Sequence, residues 1–91
     1  MKWLEIIELR FGGNNRERLE SQLQTLIDEA KQQAIKVYSH VTVETDFSIH
    51  LRHDSKRADV SGSPLGLRLA SVLKEYGLVN HSVWIEMHKK L

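Results

Sequence analysis

The sequence predicts a small α+β domain in the order β-α-β-β-α-β, with two helices on one face of a four-stranded antiparallel sheet. Three observations predict it. One apolar stripe at helical spacing follows a first aliphatic segment, two period-two segments come next, and a Ser-Pro helix start precedes a final apolar strand.

Residues 2–11 are rich in aliphatic and aromatic side chains and end at Gly12-Gly13, which marks a strand. Asn14, with Glu17 three positions on, has the pattern of a capping box. The helix it opens is predicted over about 15–33. Leu19, Leu23, Leu26, Ile27, Ala30 and Ala34 form its stripe.

Residues 35–43 alternate, with Ile35, Val37, Val41 and Val43 against Lys36, Tyr38, His40 and Thr42. Residues 47–54 alternate too, with Phe47, Ile49 and Leu51 against Ser48, His50, Arg52 and Asp54. Period two in both predicts two half-buried strands. Residues 54–62 have no period and read as a loop. Ser63 is the expected N-cap of a second helix, with Pro64 at its first position. Leu65, Leu69, Val72, Leu73 and Tyr76 make its stripe, Gly77 ends it, and residues 79–88 make the last strand.

Two right-handed β-α-β crossovers joined by a hairpin make a ferredoxin-like arrangement, with expected strand order 4-1-3-2. The 91 residues suit a single such domain, 1–91. The apolar share of 41% and charged share of 27% are those of a globular chain.

Composition removes several functions. Thirteen basic and 12 acidic residues give a net charge of +1, with no concentrated basic face, so nucleic-acid binding is not expected. The absence of cysteine removes disulfides, thiol nucleophiles and thiolate metal sites. Met1-Lys2-Trp3-Leu4-Glu5 does not read as a signal peptide, and no apolar run reaches the ~18 residues of a membrane span. The expectation is a cytoplasmic protein with no membrane partner.

Sorting the parities separates two faces. Val37, Val41, Val43, Phe47, Ile49 and Leu51 should face the helices. So should Val83, Ile85 and Met87, and Ile7, Leu9 and Phe11, although Glu5 shares the parity of these last three. The open face then carries Leu4, Ile6, Glu8 and Arg10 from the first strand. Tyr38, His40, Thr42, Ser48, His50 and Arg52 come from the middle pair, and Asn80, Ser82, Trp84, Glu86 and His88 from the last.

That face is too apolar at Leu4, Ile6, Tyr38 and Trp84 to leave in water, and too polar elsewhere to bury without partners. A second copy packed sheet to sheet would resolve the conflict, so a homodimer is expected. A three-residue turn at Glu44-Thr45-Asp46 would set His40 opposite His50; a slip by two would set it opposite Arg52.

Glu8, Arg10, His40, His50, Arg52 and Trp84 are the candidate ligand-binding residues. Arginine pairs with carboxylates and tryptophan supplies an apolar wall, which suits a small organic anion. His40 and His50 with Glu8 could seed a zinc or iron site, but two protein ligands are too few and no tight spacing such as His-Glu-x-x-His occurs, so no metal is expected. Asn80 and His81 either edge a pocket or form a satisfied turn. Gly62-Ser63-Pro64-Leu65-Gly66 lacks a Walker lysine and reads as a capped helix start, with Gly66 allowing close packing. Ser61 and Ser63 sit in no Gly-x-Ser-x-Gly motif. No catalytic residue is assigned and no cofactor is expected.

In element order, in length and in a final strand carrying Trp84, the whole chain resembles the dimeric α+β barrel superfamily. That group includes the antibiotic-biosynthesis monooxygenases. The resemblance implies a homodimer and a cofactor-independent monooxygenase acting on a small organic molecule. The alternative is a non-catalytic ligand-sensing or interaction module of the same fold. Haem-degrading relatives place a histidine on the second helix; residues 64–76 contain none. An RNA-recognition motif would need aromatics where His50 and Arg52 stand. Phe11-Gly12-Gly13-Asn14 resembles the turn of amino-acid-binding regulatory domains, which accompany an enzyme.

Overall fold

A computed structural model describes residues 1–30 and 34–87. Its elements are β1 (Lys2–Phe11), α1 (Arg16–Glu29), β2 (Ala34–Ser39), β3 (Asp46–Asp54), α2 (Pro64–Leu73) and β4 (Gly77–Ile85). The four strands form one antiparallel sheet in the order β2-β3-β1-β4. This is the expected 4-1-3-2 order, read from the other edge.

The helices cover one face. Ile7, Leu9 and Phe11 of β1 and Ile49 and Leu51 of β3 are buried against Leu19, Leu23 and Leu26 of α1 and Leu69, Ala70 and Leu73 of α2. The parity assignment of β1 is therefore correct, Glu5 included: it lies in the buried row, at 0% exposure. Burying an aliphatic side chain of this size is worth about 1.5–3 kcal/mol, so this double row supplies most of the driving force.

α2 starts as the sequence predicts. Ser63 Oγ accepts the Gly66 N–H at 3.0 Å, and Pro64 occupies the first turn. α1 starts differently. Its N-cap is Asn15, in the left-handed region at φ 60°, and no side-chain cap bond forms. The expected Asn14–Glu17 capping box does not form; the chain enters α1 through two positive-φ residues, Gly13 at 93° and Asn15 at 60°. α1 ends at Glu29; positions 31–33 of the predicted helix lie outside the described residues, and Ala34 belongs to β2.

The hairpin departs most from expectation. β2 ends at Ser39, opposite Phe47, and Lys36 stands opposite His50. His40 therefore faces neither His50 nor Arg52; its backbone N–H bonds the Asp46 carbonyl at 2.9 Å. The cause is local. His40 Nδ1 accepts the backbone N–H groups of Thr42 and Val43, each at 3.1 Å, which curls the chain out of the ladder. Val41 and Val43, predicted to face the helices, are exposed in the resulting loop.

β4 begins two residues early, at Gly77, and ends at Ile85. Val83 and Ile85 do sit in the helix-facing register, opposite Glu5 and Trp3, but the helices leave Ile85 exposed. Met87 lies past the strand and is exposed, and His88 lies outside the described residues.

Candidate functional site

Among the described residues, no element covers the sheet face away from the helices. Its residues form rows across the strands. Ala34, Arg52, Leu4 and Trp84 make one end row; Lys36, His50, Ile6 and Ser82 the next; then Tyr38, Ser48, Glu8 and Asn80. Asp46, Arg10 and Leu78 close the far end. Tyr38, Leu78 and Trp84 are exposed at 47%, 73% and 58%.

Two shallow depressions lie at opposite ends of this face. One, of about 320 Å³, is lined by Glu8, Arg10, Tyr38, His40 and Asp46 among others. The second, of about 630 Å³, wraps the end of the sheet: Leu4, Arg52 and Trp84 line it from this face, and Trp3, His53 and Ile85 from the helix-facing parity. The six candidate residues thus share one face but not one pocket. Glu8, Arg10 and His40 lie at one end, Arg52 and Trp84 at the other. His50 stands on the ridge between them, its Nε2 2.9 Å from Ser48 Oγ and its ring tilted on Tyr38 at 4.6 Å.

The charges on this face are loosely committed. Arg10 Nε lies 3.8 Å from Asp46 Oδ1, which is beyond hydrogen-bond distance. Asp46 Oδ1 has no hydrogen-bond partner. Asn80 Nδ2 reaches Glu8 Oε1 at 3.5 Å, and the Trp84 indole donates to Ser82 at 2.8 Å. Among the described residues, no carboxylate pairs with Arg52 or Lys36.

The best-organised polar cluster is on the other face, and sequence reasoning missed it. Glu5 Oε1 lies 2.7 Å from His53 Nε2, and Glu5 Oε2 lies 2.7 Å from His81 Nε2. The backbone N–H of Ser63, at the start of α2, donates to Oε1 at 3.0 Å. A carboxylate only accepts, so each imidazole carries its proton on Nε2. Burial pushes the Glu5 carboxyl up; the hydrogen bonds from Ser63, His81 and His53 outweigh it and hold the carboxyl below its ordinary value.

Packing closes this cluster. A Cβ on Gly66 would fall on the Glu5 carboxylate, and Gly62, at φ +105°, lies against both His81 and Glu5. The Trp3 ring stacks on His53 at 4.0 Å, and its indole N–H donates to Ser55 Oγ at 2.9 Å. The cluster ties β1, β3, β4 and α2 together, and its edge is reached from outside: His53 and the Trp3 ring stacked on it also line the 630 Å³ depression. Period two contained a signal: Glu5, His53 and His81 all fall on the helix-facing parity, where each is out of place alone. His81 belongs to this network, neither a turn nor a pocket edge. Among the described residues no group of three such side chains is arranged to hold a metal ion.

No family model and no curated protein matches the chain. Among solved structures it is similar to Rv0793 from Mycobacterium tuberculosis, with a TM-score of 0.70 and 16% identity over 98% of each chain. The likeness is one of fold. It covers the same small α+β, ferredoxin-like architecture from end to end. No described helix is long and apolar enough to cross a membrane.

Proposed function

We propose that two copies of this chain pack open face to open face and that the space between them binds a small organic molecule. The observation that carries this reading is the sheet face that no described element covers, with Trp84, Tyr38 and Leu78 exposed on it beside Arg52 and Lys36, with which no described carboxylate pairs. The ferredoxin-like sheet supports it, because both helices of the β-α-β-β-α-β order pack on its other face. Closing the face would remove the apolar groups from water and enclose the two depressions.

A cofactor-independent monooxygenase is the catalytic form of this reading. A ligand-sensing module is its non-catalytic form, and one observation favours the latter. The open-face histidines are occupied locally, His40 by the hairpin backbone and His50 by Ser48. Among the described residues no carboxylate–imidazole pair faces the open side; the two described pairs belong to buried Glu5.

The test has two arms. Light scattering at micromolar concentration should give twice the 10.5 kDa chain mass. Thermal shift with aromatic carboxylates should then show saturable stabilisation that Arg52→Ala removes. A monomeric mass sinks the dimer; a dimer that no such compound stabilises sinks the ligand reading.

A further inference from the structure

The two depressions become halves of one site if the two-fold axis has a particular direction. The strand register supplies a midline. Val37, Ile49, Ile7 and His81 are consecutive partners in one row across all four strands. Open-face residues are placed symmetrically about that row. On β3 the outermost are Asp46 and Arg52, on β4 Leu78 and Trp84, and on β1 Arg10 and Leu4.

We infer that the dimer axis runs along this row, perpendicular to the strands, so that Arg52 of each copy pairs with Asp46 of its twin. The inference rests on the open-face dimer proposed above. An axis in this direction turns each end of the face onto the opposite end of the second copy. Arg52, which no described carboxylate satisfies, meets the Asp46 side chain, 28% exposed; its Oδ1 is buried, 3.8 Å from Arg10 Nε of the same copy, which leaves Oδ2 as the oxygen offered to the twin. Trp84 meets Leu78, apolar against apolar. Lys36 meets Tyr38, a cation against an aromatic ring.

The competing axis, parallel to the strands, sets each end of the face on its like. Arg52 would then be buried opposite Leu4 and Lys36 opposite Ser82, while Asp46 would meet Arg10, its neighbour at 3.8 Å within one copy already. The perpendicular axis sets Arg10 opposite Leu4 but leaves it beside its own Asp46, and of the two axes it alone gives Arg52 a carboxylate; burying a cation without a counter-charge is strongly unfavourable. Two packed sheets stay within about 30° of alignment, and the long arginine side chain spans the offset this twist introduces at the ends.

This geometry reunites the candidate residues. The end that carries Glu8, Arg10 and His40 in one copy is closed by Arg52 and Trp84 of the other. Each dimer then holds two composite sites, and neither copy builds one alone.

Charge exchange tests the pairing. Arg52→Asp and Asp46→Arg should each lower the sedimentation mass from dimer to monomer, by placing like charges opposite each other twice. Mixing the two variants should restore the dimer mass, because both pairs in the mixed dimer are again Asp with Arg. Restoration on mixing also shows that both variants are folded. A dimeric wild type whose single variants stay dimeric overturns the pairing and leaves the open-face dimer standing. So does a pair of monomeric variants, each with native circular dichroism, that do not combine. A monomeric wild type overturns both.

Discussion

Glu5 Oε2 sits 2.7 Å from His81 Nε2 in a spot with no solvent exposure, directly beneath the first turn of α2. His53 holds the other carboxylate oxygen at the same distance from the opposite neighbouring strand. A single buried charge therefore fastens β3, β1, β4 and α2, and it dominates what substitutions should do to stability.

Glu5→Ala should be among the most destabilising changes in the chain. It leaves two imidazoles and the Ser63 N–H without their acceptor and opens a cavity. Breaking a buried pair from one side costs about 3–5 kcal/mol. Urea denaturation followed by circular dichroism measures it; a loss under about 1 kcal/mol would show that the cluster contributes little.

The same carboxylate predicts acid sensitivity. Its folded pKa lies below the unfolded value, which is about 4.3 for glutamate. Its contribution is therefore present above that unfolded value and is lost as pH falls through the folded one. The urea midpoint should drop below about pH 4. Glu5→Gln should lower the midpoint at pH 7 and flatten the fall in acid. An equally steep acid fall in the variant would place the titrating group elsewhere.

Gly66→Ala should destabilise, although alanine is the better helix former by about 1 kcal/mol. The new methyl falls on the Glu5 carboxylate, which is fully enclosed and cannot retreat. Overpacking of this kind costs about 1–3 kcal/mol, so the clash outweighs propensity. A raised melting temperature would contradict this placement of α2.

Two valine and isoleucine positions distinguish the observed hairpin from the one the alternation suggests. Val41→Ser should change stability by less than about 0.5 kcal/mol, since Val41 is 93% exposed. Ile49→Ala, at 1% exposure, should cost about 2–5 kcal/mol. Comparable losses at both would mean that β2 continues past Ser39.

Trp84 reports on the open face. Trp3 is buried and Trp84 is 58% exposed, so Trp3→Phe leaves a single indole on that face. Its emission should shift to the blue with rising protein concentration as the second copy covers it. Emission that stays red at concentrations where the mass is dimeric would place the interface on another surface.

The local chemistry of the chain determined its elements. Helical spacing of Leu19, Leu23 and Leu26, the Ser63-Pro64 start and the alternation of Phe47, Ile49 and Leu51 each state a preference that neighbouring residues satisfy. The order of those elements then determined the sheet and its uncovered face. Tertiary structure decided the remainder, because it depended on atoms distant in sequence or on backbone hydrogen bonds that have no residue signature. The His40 imidazole ended β2 by bonding its own hairpin, and that moved the register by several residues. Glu5, His53 and His81 were visible as polar misfits on an apolar parity. Only their convergence from three strands, under a helix start with no side chain at Gly66, made one buried charge tolerable.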